Sequence, residues 1–191
     1  MKRIKWFFLM LCLSFGLAGC GNVGEILDEV VQSGILDEYL QPENVQKIQV
    51  PEGELEVHFI DVGQADATLL MCGGQNMLID GGNAEDSDLI YSYLEDYNVE
   101  TLDYMICTHA HEDHIGGLGG ALNYAEVETV YCPVEDYDTE VFDDLVRLLD
   151  AQGKKITVPE AGMTFMLGEA ECQILGLNVE DNDPNNTSIV L

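Results

Sequence analysis

The most informative part of this sequence is an apolar segment that runs directly into clustered histidines. Residues 104–117 read YMICTHAHEDHIGG. The first four residues suit a buried strand, and the glycines at the end let the backbone turn sharply and pack closely. Between them lie three imidazoles and a carboxylate, from His109, His111, Asp113 and His114. Such a cluster suits a borderline divalent cation such as zinc, and we predict a metal-binding loop here.

The segments around this loop alternate between short strands and helices. Strands are predicted at 54–59, 67–72, 77–79, 102–108, 130–132, near 156, and at 163–167, 172–175 and 188–191. Helices are predicted at 88–97, with Ser87 as the N-cap, and at 139–151, ended by Gly153. A turn at 73–76 would join the second and third strands. Hairpin-like strand runs with helices between them favour an α/β fold in which helices cover mixed sheets.

The first strand alternates apolar residues, Leu55, Val57 and Phe59, with Glu56 and His58. This alternation predicts a strand with one face in water, the polar one. His58 stands alone in it, so a solvent-facing or packed structural role is favoured over metal ligation.

The chain is strongly acidic, with 36 Asp and Glu against 7 Lys and Arg and a formal net charge of -29. Such a surface repels phosphate polymers at long range, and no basic stripe exists to follow a nucleic acid. Charge therefore disfavours nucleic acid as a partner. The acidity serves solubility or attracts divalent cations, and the sequence leaves both interpretations open.

The N-terminal twenty residues resemble a bacterial lipoprotein signal. Basic residues precede an apolar run at 6–13, which is too short to span a bilayer comfortably. The run leads to Leu17-Ala18-Gly19-Cys20, which resembles a lipobox. We expect a signal peptide at 1–19, then a lipidated Cys20 and a tether to residue 53. The protein would sit on the outer face of the bacterial cell membrane, held by its lipid. An ordinary signal peptide with an incidental cysteine is the alternative.

Four more cysteines follow, at positions 72, 107, 132 and 172. Their spacings are long and contain no CxxC, so neither a zinc knuckle nor a redox pair is indicated. An exported protein could pair them. Each lies beside apolar residues, and buried free thiols are our expectation for all four.

His-x-His-x-Asp-His after a strand is the signature of the metallo-β-lactamase fold. Residues 59–67 (FIDVGQADA), 78–82 (LIDGG) and 185–191 (NNTSIVL) further resemble the hydrolase domain of ComEC-type competence proteins and their secreted relatives. The resemblance covers residues 54–191 and implies an αββα sandwich of which this chain holds the N-terminal half. Ala65 departs from it, because a glycine is common there.

The resemblance implies a pair of divalent cations, zinc in the first place and manganese as the alternative. His109 and His111 would bind the first cation, and Asp113 and His114 the second. A hydroxide held by the metals would attack a phosphodiester or another ester bond. Asp113, beside that hydroxide, would accept or relay a proton as the catalytic residue.

Further residues are expected to support the metal site. Asp80 would orient the histidine loop, or else form an Asp-Gly turn that closes a hairpin. Asp61 and Asp66 would support the site from the loop after the first strand, or cap that turn. Asn186 and Ser188 would face the cleft, or form a plain turn and strand.

The family also uses a bridging aspartate and a further histidine, both downstream of the Asn-Asn-x-Ser strand. This chain stops at Leu191, where that strand opens, so we expect a domain incomplete at its C-terminus. With ligands missing, metal binding should be weak and the 191-residue chain a poor enzyme by itself. The predicted function is phosphodiesterase-type hydrolysis of nucleic acid or nucleotide by a metal-dependent hydrolase. The alternative is a non-catalytic surface lipoprotein that binds cations or a partner.

Overall fold

The computed structural model describes residues 53–178 and 183–191. The expected signal peptide, the lipidated cysteine and all but the last residue of the tether therefore lie outside the described residues. Across the two described ranges, no helix is long and apolar enough to cross a membrane.

Six strands form one mixed sheet whose spatial order follows the chain. They are β1 (Leu55–Phe59), β2 (Thr68–Cys72), β3 (Gln75–Ile79), β4 (Thr101–Ile106), β5 (Glu126–Tyr131) and β6 (Ile156–Thr157). The pairs β1–β2 and β2–β3 are antiparallel, whereas β3 to β6 run parallel. Parallel neighbours need crossover connections, and helices supply them here. The predicted mixed α/β architecture is confirmed.

The turn between β2 and β3 is tighter than the sequence indicated. It consists of Gly73 and Gly74, both with positive φ (56° and 82°), because β3 already begins at Gln75. Two consecutive positive φ values match the right-handed twist of a hairpin, and glycine adopts them without a steric cost.

In the described part of the chain, four α-helices accompany the sheet: α1 (Ser87–Asp96), α2 (Glu112–Ile115), α3 (Leu118–Tyr124) and α4 (Glu140–Ala151). Buried residues of α1, α3 and α4 share one core with the strands; Leu94, Leu118 and Phe142 are at most 1% exposed. Burying apolar helix faces against a sheet is the main source of stability in such layers.

The start of α1 differs from the prediction. Ser87 is already helical, and a 3-10 turn at Ala84–Asp86 precedes it. Asn83 begins that turn, and its backbone N–H donates to Asp86 Oδ2 at 2.8 Å. Asn83 and Asp86 form a capping box around the 3-10 turn, and Asp86 is the N-cap of α1, one residue earlier than expected.

The opposite face of the sheet is covered by a hairpin of β7 (Thr164–Leu167) and β8 (Ala170–Gln173). Leu167, Ile174 and Ile189 pack there against strand residues such as Met77 and Ile106. The strand predicted at 188–191 is reduced to a single antiparallel bridge between Gly176 and Val190. The hairpin strands begin one to two residues away from their predicted positions.

The prediction for the faces of β1 is wrong. Leu55, Val57 and Phe59 are 47%, 40% and 84% exposed, whereas Glu56 and His58 are half-buried. β1 is an edge strand, and its polar side chains face the tyrosines of α1: His58 Nδ1 lies 2.9 Å from the Tyr93 hydroxyl. Packing against a tyrosine-rich helix therefore outweighs the alternation of the strand.

The cysteines match the expectation of free thiols, with one difference. Cys72, Cys107 and Cys132 are buried, but Cys172 is only half-buried. Cys107 directly follows β4 and Cys132 directly follows β5; the hydrogen-bonding contact between their side chains, together with burial, raises the pKa of the Cys107 thiol well above its usual value. Both cysteines behave as small core residues.

Candidate metal centre

The histidine loop leaves the C-terminal end of β4 and passes into α2. The strands on both sides, β3 and β5, run parallel to β4, so their C-terminal ends meet at the same edge of the sheet. This edge is where open α/β sheets place their ligand sites. The loop thus lies where the architecture predicts a functional site.

Three ligand-type side chains converge in this loop. Ligand atoms of His109, His111 and Asp113 all lie within 4.8 Å of one another. The rings of His109 and His111 meet edge to face, with centroids 4.9 Å apart. These side chains point toward one small volume, as the sequence predicts for a cation pocket.

His109 shows that this volume suits a metal. The residue is 4% exposed, and its Nε2 atom is buried without a hydrogen-bond partner in the described part of the chain. An unpartnered buried nitrogen costs about 1–3 kcal/mol, and a cation bound by its lone pair removes that cost. Two imidazoles and a carboxylate fit zinc or manganese.

His114 lies beside this group and is held by Asp80. Its ring centroid is 3.9 Å from that of His109, and its Nδ1 atom is 2.8 Å from Asp80 Oδ2. When Nδ1 carries the proton and donates a hydrogen bond to the carboxylate, the Nε2 lone pair is left free to bind a cation. Metal-binding histidines are generally oriented in this way.

Thr108 completes the hydrogen bonds of Asp80, although it was not among the site residues predicted from the sequence. Its backbone N–H donates to Asp80 Oδ1 at 2.8 Å, and its hydroxyl donates to Asp80 Oδ2 at 2.6 Å. The same hydroxyl oxygen lies 3.2 Å from His109 Nδ1 and 3.3 Å from His114 Nδ1. A hydroxyl residue directly between a strand and the first histidine was the signal available in the sequence.

The charges around the loop act differently on two of its histidines. Burial lowers the pKa of His109, and the neighbouring His114 and His111 lower it further, which favours the neutral imidazole that binds metals. Burial also opposes protonation of His114. There the hydrogen bond to Asp80 and the charges of Asp80, Asp113 and Asp66 outweigh burial and raise the pKa.

Glycines bring the backbone of the loop close to its supports. The Gly81 N–H donates to the His114 carbonyl oxygen at 2.7 Å, which ties the segment after β3 to the metal loop. A side chain at Gly117 would strike the Gly81 carbonyl, and one at Gly116 would strike the Ala84 backbone N–H. The Gly-Gly pair after the histidines is therefore needed for this close approach.

The other predicted site residues lie at different distances from the loop. The carboxylate of Asp66 is 3.9 Å from His114 Nε2, and its backbone N–H donates to the Asp113 carbonyl at 3.3 Å. The Asp61 carboxylate accepts from the N–H of Gly63 at 3.3 Å, in a local turn.

Asn186 and Ser188 lie in or next to a 3-10 turn at Pro184–Thr187. The Ser188 hydroxyl donates to the Asn185 carbonyl at 2.9 Å. The next residue, Ile189, donates its N–H to the carbonyl of Thr108 at 2.8 Å, so this segment borders the loop. The side-chain bond of Ser188 is local, as in the turn interpretation.

A cation pocket built from histidines and a carboxylate at this edge of a mixed sheet defines a metal-binding α/β domain of the kind found among hydrolases. The chain belongs to the metallo-β-lactamase superfamily, whose family model matches residues 60–176.

Several solved structures have a similar fold. SMB-1, a metallo-β-lactamase in complex with mercaptoacetic acid, is 18% identical, with a TM-score of 0.47 over 62% of this chain and 49% of its own. MEM-A1, a subclass B3 metallo-β-lactamase from a soil metagenome library, is 18% identical, with a TM-score of 0.48 over 64% of this chain and 52% of its own. A flavo di-iron protein mutant from Thermotoga maritima is 22% identical, with a TM-score of 0.41 over 56% of this chain and 26% of its own.

Two curated proteins match part of the chain. The transcription termination factor FttA of Methanocaldococcus jannaschii is 33% identical over 85 residues, which are 42% of this chain and 13% of that protein. FttA of Methanococcus maripaludis is 33% identical over 63 residues, 32% and 10% of the respective lengths. The chain thus spans a small part of these relatives and about half of the two lactamase structures.

Proposed function

We propose that this protein is a metal-dependent hydrolase with phosphodiesterase-type activity on nucleic acid or nucleotide, like the hydrolase domain of ComEC-type competence proteins. The proposal rests on the convergence of His109, His111 and Asp113 within 4.8 Å, with a buried and unpartnered nitrogen on His109. Membership of the superfamily supports metal-dependent hydrolysis.

The side chains of the loop have separate tasks in this proposal. His109 and His111 would hold a first divalent cation, and Asp113 and His114 a second, with zinc or manganese suited to these ligands. Such a pair would supply activation of a water molecule and polarisation of the ester. The Asp113 carboxylate is 45% exposed, so one of its oxygens can accept a proton from the attacking water.

The substrate assignment has one argument in its favour and one limit. The matched relatives are named as transcription termination factors, which supports a nucleic-acid-related substrate. The net charge of -29 and the few basic residues oppose long polyanions. We therefore favour nucleotides and short phosphodiesters, with other esters as further substrates.

We further propose that the protein works on the outer face of the bacterial cell membrane, anchored through a lipid on Cys20. The basic residues, apolar run and Leu-Ala-Gly-Cys sequence at the N-terminus support this location. Labelling of cells with a radioactive fatty acid should mark the wild-type protein, and Cys20→Ala should abolish the label. A Cys20→Ala protein that still carries the label would refute the anchor.

The activity is tested with the full chain, stripped of metal and reloaded with zinc or manganese. Bis(p-nitrophenyl) phosphate and a dinucleotide serve as substrates, and His109→Ala and Asp61→Asn are the compared variants. We expect metal-dependent hydrolysis that His109→Ala abolishes and Asp61→Asn leaves unchanged. Tight metal binding without hydrolysis of either substrate would refute the proposal and favour a non-catalytic, cation-binding surface lipoprotein.

A further inference from the structure

The imidazole of His114 presents its Nε2 atom to two carboxylates that come from different loops. Asp113 Oδ2 lies 3.9 Å from this nitrogen, and Asp66 Oδ2 lies at the same distance. Asp113 belongs to the metal loop, whereas Asp66 belongs to the connection between β1 and β2. We propose that Asp66 is a direct ligand of the second cation, which would then be held by Asp66, Asp113 and His114.

The orientation of His114 supports this assignment. Its Nδ1 atom is engaged by Asp80 at 2.8 Å, so Nε2 is the nitrogen that remains for a cation. That atom faces Asp113 and Asp66, and both carboxylates lie too far away for a direct hydrogen bond. Two carboxylates from different segments thus lie within 4 Å of this nitrogen, and neither is hydrogen bonded to it.

The distances suit a cation after a small movement. Zinc binds nitrogen and oxygen ligands at about 2.0–2.2 Å, so two ligands of a tetrahedral zinc lie about 3.4 Å apart. Closing 3.9 Å to that separation moves a carboxylate oxygen by about half an ångström. Asp66 has this freedom, because its side chain is 76% exposed and accepts no hydrogen bond among the described residues.

The backbone of Asp66, in contrast, is held in place. Its N–H donates to the Asp113 carbonyl at 3.3 Å, and its own carbonyl accepts from Gly82 at 2.9 Å. Asp66 is thus linked both to the metal loop and to the segment after β3. A mobile carboxylate on an anchored backbone is well suited to close a metal site.

The excess of negative charge around His114 also favours a bound cation. Three carboxylates, from Asp66, Asp80 and Asp113, act on this one imidazole. Among the described residues, Arg147 and Lys154 form ion pairs with Asp144 and Glu128, which are not carboxylates of the loop. A divalent ion bound by two carboxylates and one imidazole would balance the excess, and such oxygen-rich ligation suits manganese as well as zinc.

The test measures metal stoichiometry in the full chain and does not depend on turnover, although the inference rests on the metal site of the proposed function. Metal-stripped protein is titrated with manganese, and free manganese is counted from its electron paramagnetic resonance signal. Cobalt absorption reports the ligand geometry of each bound ion. Asp66→Asn is compared with Asp61→Asn, because both remove one carboxylate from the same connection and Asp61 accepts from the Gly63 N–H in a local turn.

We expect wild type and Asp61→Asn to bind two ions, and Asp66→Asn to bind the second one at least about tenfold more weakly. The first ion should bind equally to all three proteins, and Asp66→Glu should restore part of the lost affinity. Circular dichroism should show all variants folded, because both replaced side chains are exposed. Equal second-ion affinities in Asp66→Asn and Asp61→Asn would overturn the inference.

Two other outcomes separate this inference from the proposed function. A wild-type chain that binds one ion and hydrolyses phosphodiesters would overturn the role of Asp66 and leave the hydrolase proposal standing. A wild-type chain that binds no ion would overturn both.

Discussion

At the scale of single residues, the site depends on one buried carboxylate. Asp80 is 2% exposed and adopts φ of 56°, a left-handed conformation that aspartate tolerates better than most residues. This backbone points both carboxylate oxygens at Thr108 and His114. The Leu-Ile-Asp-Gly-Gly sequence identified Asp80 as a candidate. The position of Thr108 beside the first histidine was a signal in the sequence, but its hydrogen bonds to Asp80 depend on the crossing of two loops that are distant in sequence.

Asp80→Asn should weaken metal binding by about 10- to 100-fold, because an amide NH2 group replaces one acceptor oxygen and would face either the Thr108 N–H or the Thr108 hydroxyl and His114. We also expect a loss of about 1–3 kcal/mol in the free energy of unfolding. Zinc competition with a chromophoric chelator and urea unfolding measure the two effects.

Asp103→Asn is the control for Asp80→Asn. Asp103 accepts from the Asn76 N–H at 2.8 Å and from Gln75 Nε2 at 2.9 Å, in hydrogen bonds that join β3 to β4. Its replacement should lower stability and leave zinc affinity unchanged. Equal zinc affinity in Asp80→Asn and wild type would show that Asp80 does not orient His114.

Thr108→Val should destabilise the protein by about 1–2 kcal/mol, because it removes the hydroxyl that donates to Asp80 and leaves a carboxylate oxygen short of a donor. Thr108→Ser keeps the hydroxyl, so its loss of unfolding free energy should be less than half that of Thr108→Val. Urea unfolding of the metal-free proteins measures both values. A valine variant as stable as the serine variant would contradict the role given to the hydroxyl.

At the scale of elements, the sequence predicted long periodic segments better than short ones. Helix α4 begins one residue from its predicted start, with Thr139 accepting from the Phe142 N–H at 3.3 Å. Helices α2 and α3 were missed, because glycine-rich segments predict turns when read alone. In the fold, those glycines allow α3 to approach α1 closely, which no local pattern reveals.

Gly120→Ala should destabilise the protein by about 3 kcal/mol or more, because its methyl group would strike the Ser87 carbonyl in α1. Gly119→Ala is the matched control in the same helix. Its methyl group would lie 3.5 Å from Leu148 Cδ1, an ordinary contact, so we expect a gain of about 0.5–1 kcal/mol from helix propensity. Urea unfolding should give clearly different unfolding free energies for the two variants. Similar unfolding free energies would show that α3 does not approach α1 so closely.

Gln152 is a further element-scale feature that the sequence did not indicate. At the end of α4, its Oε1 accepts from the Val127 N–H at 2.9 Å, and its Nε2 donates to the carbonyls of Leu122 and Ala125, both at 2.9 Å. One side chain thus serves three backbone groups at the junction of α3, α4 and β5.

Gln152→Ala should therefore cost about 2–3 kcal/mol of unfolding free energy, because three partly buried backbone groups lose their partner. Gln173→Ala in β8 is the control, as Gln173 is exposed and should change stability by less than about 0.5 kcal/mol. A Gln152→Ala protein as stable as the Gln173→Ala protein would contradict the bridging role.

At the scale of the whole molecule, the order of the elements and the position of the metal loop were predictable, because both follow from motifs in contiguous segments. The faces of β1 were not, since burial depends on what packs above each face. His58 packs against Tyr93 and Tyr97 of α1, whereas Phe59 remains 84% exposed. Local alternation cannot tell which face of an edge strand is covered.

Metal binding should stabilise the entire domain, because the cation binds groups that only the folded chain brings together. A ligand at about 100 times its Kd adds about 2.7 kcal/mol to the unfolding free energy. For a chain of this size, that energy raises the thermal midpoint by roughly 5–10 °C. The metal-free state keeps His109 Nε2 unpartnered and several carboxylates close together, which adds to the gain.

Thermal unfolding of metal-stripped protein, with and without zinc, measures this stabilisation. His111→Ala should lose most of it, because one of the three converging ligands is removed. Sodium chloride at the ionic strength of the zinc solution is the control, since a chain with a net charge of -29 also gains stability from screening of its self-repulsion. A midpoint that rises equally with sodium chloride and zinc, or equally in His111→Ala and wild type, would show that zinc acts on the acidic surface and not at the histidine loop.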